Sequence, residues 1–292
     1  MARHAEDLGY HSLWAFQRLL YAVAPRNEYY GAPGRAWPAP FQRTLDPIVS
    51  LAHVAGATRR IRLGTSVLIM PFYQPIVLAK ELATLDHVSN GRLDVGLGLG
   101  WSEDEYEAVG VPFARRGARA DEFLRCLTAV WRDDPVEFRG EFYTVPAARV
   151  EPKPVQRPRP PLTLGGYARG VLRRAATLAD GYNGGNIPLA DMAGILRQLA
   201  EAAESAGKDP RTLAVVCRGS FQVHDTAQGL GRRALFGTIQ EIRDDIRRYA
   251  DAGVTELFLE ANFQPGGASV ERVLPLMEVL RPAGEERASA TP

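Results

Sequence analysis

The chain has 292 residues, of which 46% are hydrophobic and 24% are charged, so it contains enough apolar material for a sizeable folded core. Thirty-five basic and 34 acidic residues give a net charge of +1, which argues against nucleic-acid and membrane-surface partners. The longest apolar runs, such as Val67–Met70, are far shorter than the roughly 20 residues of a membrane-spanning helix. We therefore expect a cytoplasmic protein in which Cys126 and Cys217 are buried free thiols.

Short apolar strands alternate with amphipathic helices along the chain. Helix starts are marked by capping residues, as at Asp46-Pro47 and at Thr238 with Glu241 three positions later. The predicted strands are Ser12–Phe16, Ile61–Ile69, Arg92–Leu99, Pro161–Gly165, Gly181–Gly184, Thr212–Phe221 and Glu256–Ala261. The predicted helices begin at Asp46 and Pro75 and span Ala118–Trp131, Ala168–Ala179, Leu189–Ala206, Thr238–Ala252 and Ser269–Arg281. Strict alternation of this kind predicts a parallel sheet covered by helices.

The fold class that fits this pattern is an α/β (β/α)8 barrel of the TIM-barrel type. The chain begins inside a helix that ends at Gly9, so the first strand of the barrel is expected to be missing. Residues 132–161 are predicted to form an insertion, with a small hairpin followed by a proline-rich loop. We expect one domain over residues 1–282 and a disordered tail over residues 283–292.

Two glycine-containing strands carry the clearest chemical signal. In Leu93–Trp101 (LDVGLGLGW), the apolar side chains share one strand face and the glycines share the other. The glycine face predicts room for a flat ligand near the barrel's C-terminal end, although glycines also serve simply to relieve crowding. In Leu162–Tyr167 (LTLGGY), a Gly-Gly pair precedes a helix, an arrangement that suits a phosphate group. No HExxH, CxxC, Walker or GxSxG motif is present, so we predict no metal site.

The long segments around these motifs, Arg60–Leu124 and Glu151–Asn183, strongly resemble the luciferase-like oxidoreductase superfamily. The resemblance extends from Ala5 to about Leu280 and is closest to the branch that uses the deazaflavin coenzyme F420. It implies a cis peptide at Ser66–Val67 behind the coenzyme ring. The positions that it implies for cofactor binding are Gln17, Ser66, Val67, Gly98, Gly100, Trp101, Asp104, Gly165, Gly166 and Tyr167. An apolar substrate pocket is expected from Trp14, Phe16, Phe72 and Tyr73.

The resemblance predicts hydride transfer between F420 and a small organic substrate. Gln17-Arg18 stands where relatives carry an Asp-His or Asp-Arg pair, so the pattern identifies no catalytic residue. Gly117 lies near the position at which some flavin mononucleotide (FMN) enzymes of the superfamily carry a phosphate-binding tyrosine. The alternatives are an FMN-dependent monooxygenase and a non-catalytic cofactor-binding barrel. We expect a small-molecule substrate, no nucleic-acid or membrane partner, and allow for a homodimer.

Overall fold

The computed structural model describes residues 1–29, 34, 36–229, 231–262, 264 and 267–282, and the predicted tail lies outside this range. The strands are β1 (Ser12–Ala15), β2 (Arg62–Thr65), β3 (Leu68–Ile69), β4 (Leu93–Gly98), β5 (Val136–Arg139), β6 (Thr144–Ala148), β7 (Leu162–Gly165), β8 (Gly181–Gly185), β9 (Ala214–Ser220), β10 (Gln222–Val223), β11 (Phe236–Gly237) and β12 (Glu256–Glu260). The α-helices are α1 (Ala2–Asp7), α2 (Pro47–Ala57), α3 (Pro75–Val88), α4 (Glu103–Ala108), α5 (Arg116–Arg132), α6 (Arg169–Leu178), α7 (Leu189–Ser205), α8 (Ile239–Asp251) and α9 (Val270–Val279).

The main sheet is a nearly closed barrel of parallel strands. Its strand order is β1-β2-β4-β7-β8-β9-β12, and the short strand β3 also pairs with β4. Helices connect successive strands, as the alternating sequence pattern predicts for a TIM-barrel-like fold. The predicted hairpin is confirmed as the antiparallel pair β5–β6, which lies outside the barrel sheet.

The local signals that predicted the elements are present in the structure. Asp46 caps α2 by accepting a hydrogen bond from the Val49 N–H at 2.9 Å. Thr238 and Glu241 form the predicted capping box at the start of α8. The structure differs from the predicted elements at two places. The predicted strand Ile61–Ile69 is divided into β2 and β3, and Ser102 caps a helix, α4, that the pattern did not predict.

The core lies between the outer face of the sheet and the helices. Leu93, Val95 and Leu97 of β4 are all buried there, so the predicted leucine face does point towards the helices. The indole N–H of Trp131 in α5 donates a hydrogen bond to the Ala79 carbonyl of α3 at 3.0 Å. Both cysteines are confirmed as buried free thiols. Within the described ranges, no helix combines the length and the apolarity that crossing a membrane requires.

Strands β1 and β12 are the two ends of the sheet. In the described part of the chain they face each other without a backbone ladder. Side chains join them instead: the Trp14 ring stacks on Phe258 with centroids 5.0 Å apart, and Ser12 is hydrogen-bonded to Glu256. Side-chain contacts rather than main-chain pairing therefore join β1 and β12 at this seam.

Candidate functional site

A cavity of about 290 Å³ opens at the C-terminal ends of the barrel strands, and we call it the central cavity. It lies where parallel barrels place their active sites. Nine of the ten predicted cofactor-binding residues and one predicted substrate residue contribute to its wall: Gln17, Ser66, Val67, Gly98, Gly100, Trp101, Gly165, Gly166, Tyr167 and Phe16. The tertiary structure thus brings together residues at or just after the C-terminal ends of β1, β2, β4 and β7 that are up to 151 positions apart, the separation of Phe16 and Tyr167.

The side chain of Val67 forms the floor of the central cavity. The Ser66–Val67 peptide is cis, as predicted. A Cβ atom at Gly98 would lie 2.6 Å from Val67 Cγ2, and one at Gly165 would lie 2.7 Å from Val67 Cγ1. These two glycines on neighbouring strands therefore leave room for Val67 itself.

Gly98 and Gly100 line the central cavity as predicted, but no glycine of this segment faces empty space. A Cβ at Gly96 would collide with the Thr65 carbonyl, and one at Gly100 would lie 2.8 Å from Ile69 Cγ2. Protein atoms occupy the space beside each of these glycines, so the alternative of relieved crowding is correct. The glycines shape the cavity indirectly, by allowing Val67 and Ile69 to approach the sheet.

Three polar side chains hold the segment around Val67. Ser66 donates to Asn183 Oδ1 at 2.9 Å, and the Ile69 N–H donates to Gln17 Oε1 at 2.7 Å. Thr65 Oγ1 donates to the Gly96 carbonyl at 2.9 Å. The Gln17 amide also donates to the Tyr73 hydroxyl, so both ends of this buried side chain are bound to protein groups. Gln17 consequently stabilises the cavity floor through hydrogen bonds rather than through charge.

One end of the central cavity is cationic. The Gly165-Gly166 turn leads into α6, and Arg116 of α5 and Arg174 of α6 line the wall beside it. Arg174 Nη2 donates to the Gly117 carbonyl at 3.1 Å, and its guanidinium is also paired with Asp121. A Cβ at Gly117 would lie 3.0 Å from Arg174 Nη2, so a larger residue there would compete with the guanidinium.

Another part of the cavity wall is aromatic. The Phe41 ring centroid lies 5.6 Å from that of Phe16 and 5.5 Å from that of Tyr29. The guanidinium of Arg18 lies 5.0 Å from the Trp101 ring centroid and 5.5 Å from that of Phe41, a distance suited to cation–π attraction. This wall is largely apolar and contains one cation, that of Arg18.

Arg18 forms a buried ion pair with Glu105 of α4. Their closest N···O distance is 2.9 Å, and the two side chains are 7% and 0% exposed. Burial raises the pKa of the Glu105 carboxyl, while the Arg18 charge and hydrogen bonds from the Leu19 and Leu20 backbones lower it. The Leu19 N–H donates to Glu105 at 2.8 Å, which ties the chain after β1 to α4.

The structure does not bring four predicted site residues to the central cavity. Asp104 instead accepts a hydrogen bond from the Arg26 N–H at 3.1 Å. Trp14 lines an adjoining cavity of about 520 Å³ at the seam between β1 and β12, which shares Phe16, Ser66 and Arg218 with the central cavity. Phe72 packs edge-on against Tyr106, and Tyr73 reaches the site only through its hydrogen bond with Gln17. Of the four residues expected to form the substrate pocket, Phe16 lines the central cavity, Trp14 and Phe16 together line the adjoining cavity, and Phe72 and Tyr73 line neither.

Several residues of the wall were not among the predicted site residues. They include Arg18, Tyr29, Phe41, Arg116, Leu164, Val171, Arg174, Asn183 and Arg218. Asn183 was detectable in principle, because a polar residue near the C-terminal end of a barrel strand is a candidate site residue. Arg174 had no such signal, since only the packing of α5 beside α6 brings it to the cavity. Among the described residues that line the cavity, none is acidic.

The fit between Gly98 and Val67 yields a stability prediction. Gly98→Ala is expected to destabilise the fold by about 1–3 kcal/mol, because the added methyl would overlap Val67 and force it off its position. Denaturant unfolding measures the loss. Gly56→Ala is the control, since Gly56 is helical with open space around it and the same change there is expected to be neutral or slightly stabilising. Adding Val67→Ala to Gly98→Ala should restore part of the lost unfolding free energy, because the smaller side chain removes the overlap. A Gly98→Ala variant as stable as the wild type would contradict the packing argument.

The chain is similar in sequence to proteins of one known family. A family model described as luciferase-like monooxygenase matches residues 1–234. The uncharacterised Mycobacterium tuberculosis protein Rv0953c is 32% identical over 239 residues, covering 80% of this chain and 76% of that protein. The FMNH(2)-dependent dimethylsulfone monooxygenase of Pseudomonas putida is 34% identical over 145 residues, which are 48% of this chain and 40% of that enzyme.

A solved structure shares the fold over nearly the whole chain. The F420-dependent secondary alcohol dehydrogenase in complex with an F420-acetone adduct has a TM-score of 0.76 and 18% identity, covering 96% of this chain and 93% of that one. At this identity the likeness shows the fold alone. The family model matches most of the chain, and the shared fold and the central cavity agree with that match. The chain belongs to the luciferase-like monooxygenase family.

Proposed function

We propose that this protein is an F420-dependent oxidoreductase that transfers a hydride between the deazaflavin coenzyme and a small organic substrate. The observation that carries the proposal is the charge distribution of the central cavity. Four guanidinium groups line it, those of Arg18, Arg116, Arg174 and Arg218, and the described part of its wall contains no carboxylate. The carboxylates paired with three of them, Glu105, Asp121 and Glu260, lie outside this wall. Such a wall suits a coenzyme with a flat, largely uncharged ring and an anionic tail.

The residues present fit the ring and the phosphate of a flavin-type coenzyme. Val67 provides an apolar floor against which one ring face would pack, and the aromatic wall around Trp101 and Phe41 would exclude water above it. The Gly165-Gly166 turn with Arg116 and Arg174 would hold the phosphate. The coenzyme itself supplies the hydride chemistry, whereas the protein binds it, orients it and shapes the space for substrate.

The preference for F420 over FMN rests on the cations beyond the phosphate end. F420 extends past its phosphate into a chain of glutamate residues, whereas FMN ends at the phosphate. At the start of α5, Arg115 and Arg119 accompany Arg116 without lining the cavity; their guanidinium groups lie 5.0 and 4.7 Å from the Phe142 ring centroid, and Arg115 is also paired with Glu141. An extended anionic tail would have cationic partners there. A solved relative of the same fold also carries F420.

An FMN-dependent monooxygenase is the second candidate. The observation that favours it is the sequence similarity to the FMNH(2)-dependent monooxygenase of Pseudomonas putida. The same floor, glycine turn and arginines would accommodate the ring and the single phosphate of FMN.

Equilibrium titration distinguishes the two candidates. We expect the purified protein to bind F420 at least about tenfold more tightly than FMN, because the longer coenzyme reaches additional arginines; a tenfold ratio corresponds to about 1.4 kcal/mol. Quenching of tryptophan or coenzyme fluorescence, measured at one fixed ionic strength, gives both dissociation constants. Equal or tighter binding of FMN would favour the monooxygenase, and saturable binding of neither would contradict both candidates.

A further inference from the structure

Two tyrosine hydroxyls form hydrogen bonds that link the ends of the neighbouring strands β7 and β8. The Tyr182 hydroxyl of β8 donates to the Gly166 carbonyl at 2.8 Å, just after β7. The Tyr167 hydroxyl donates in the other direction, to the Gly185 carbonyl at the end of β8, at 2.6 Å. The turn that leads into α6 is therefore tied to β8 at two points, which we call the tyrosine latch.

The surrounding glycines make room for this latch. A Cβ at Gly184 would lie 2.7 Å from the Tyr182 ring, and a Cβ at Gly185 would lie 2.9 Å from the Tyr167 hydroxyl. Gly166 has a φ of +144°, a conformation that residues with a side chain rarely adopt. The sequence GYNGG at 181–185 thus has a specific role in shaping the turn.

We propose that Tyr182 is a positioning residue that orients the Gly166–Tyr167 peptide for the coenzyme phosphate; this inference rests on the proposed function. The C=O and N–H of a trans peptide point in opposite directions. Because Tyr182 holds the Gly166 oxygen, it also fixes the direction of the Tyr167 N–H. Tyr182 is 2% exposed and is not part of the cavity wall, whereas Gly166 and Tyr167 are.

The direction of the Tyr167 N–H follows from this placement. The Gly166 carbonyl points to the buried side of the turn, where Tyr182 lies, so the N–H of the same peptide points away from Tyr182 and towards the open side. Arg116 and Arg174 line the cavity on the same end. Without the Tyr182 hydroxyl, the glycine-containing peptide would be free to rotate, and its N–H would no longer be held ready for an anion. A peptide N–H held in place before binding costs less to order when the phosphate arrives.

The test compares coenzymes with and without phosphate in the Tyr182→Phe variant, which removes one oxygen atom and keeps the ring. The probes are F420 and FMN, each paired with its phosphate-free riboside, 8-hydroxy-5-deazaflavin riboside or riboflavin. We expect Tyr182→Phe to weaken binding of the phosphorylated probes about three- to tenfold, the equivalent of one hydrogen bond, and to leave the ribosides unchanged. The ratio of the two affinities is a readout that general destabilisation does not change.

Tyr249→Phe is the matched control. Tyr249 is also buried and its hydroxyl also donates to a backbone carbonyl, that of Ile187, at 2.8 Å, but it lies outside the central cavity. The control should keep the wild-type ratio. An unchanged ratio in Tyr182→Phe, or an equal loss for ribosides and phosphorylated probes, would overturn the inference while leaving the proposed function intact. Wild-type protein that binds no phosphorylated probe would overturn both.

Discussion

Arg18→Met is expected to destabilise the protein by about 3–5 kcal/mol near neutral pH. The substitution removes the cation that is paired with the fully buried Glu105 carboxylate at 2.9 Å and leaves that charge uncompensated. Methionine keeps an unbranched apolar side chain beside Trp101 and Phe41, so loss of packing contributes little. Denaturant unfolding, monitored by tryptophan fluorescence, measures the difference in free energy.

The same variant is expected to depend on pH in a defined direction. Burial already raises the pKa of Glu105, and removing Arg18 takes away a charge that lowers it. The folded-state pKa then lies further above that of the unfolded chain. Such a carboxyl stabilises the folded state at pH values below its unfolded pKa, and this contribution is lost as the pH rises through the folded pKa. The destabilisation should therefore be larger at pH 8 than at pH 5.

Arg26→Met provides the control for Arg18→Met. Arg26 is 53% exposed and pairs with Glu107, which is 62% exposed, so solvent screens this ion pair. Its removal should cost no more than about 1 kcal/mol at either pH. A loss in Arg18→Met as small as that of the control, or one that grows as the pH falls, would contradict the role assigned to the buried pair.

Arg174→Gln is expected to weaken coenzyme binding about tenfold to a hundredfold. Its guanidinium lines the phosphate end of the central cavity and is held there by Asp121 and the Gly117 carbonyl. A hydrogen bond to a charged group contributes about 1.5–3 kcal/mol, which corresponds to this range of affinities. Titration with F420 and FMN at two salt concentrations measures the loss and should also show a weaker salt dependence than in wild type.

The neighbouring Arg173→Gln is the matched control. Arg173 also pairs with Asp121, at 3.3 Å, but its side chain is 56% exposed and does not line the cavity. It should bind both coenzymes as the wild type does. If the two variants lost affinity equally, the effect would come from Asp121 or from overall charge, and Arg174 would have no direct role at the phosphate end.

Sequence reasoning was most successful where the determinant is local. Alternation along β4 and capping at Asp46 and Thr238 depend on residues a few positions apart, and the structure confirms each of them. The glycines of β4 were assigned to the right place for the wrong reason. Their pattern indicates a close approach but does not identify what approaches; in the structure the Thr65 carbonyl approaches Gly96, and Val67 approaches Gly98.

Site residues that depend on packing between distant elements could not be predicted in the same way. Trp14 and Phe16 lie on the same predicted strand, yet Trp14 stacks on Phe258 at the seam while Phe16 lines the central cavity. That division depends on where β12 lies relative to β1, which no spacing within Ser12–Phe16 encodes. Tyr73 is separated from the cavity by the Gln17 amide, a contact across 56 positions.

The sequence alone determined the parallel strand–helix alternation, the resemblance to a family, and the glycine-containing strand ends that form the cavity. These features follow from periodicity and backbone conformation, which act over a few residues. Only the tertiary structure decided that Arg174 of α6 reaches past Gly117 of α5, that Arg18 pairs with Glu105, and that Tyr182 holds the Gly166 carbonyl. The physical reason is that hydrogen bonds and ion pairs require their atoms to lie within about 3–4 Å of each other. Such distances between remote residues are set only when the barrel has brought its helices and strand ends together.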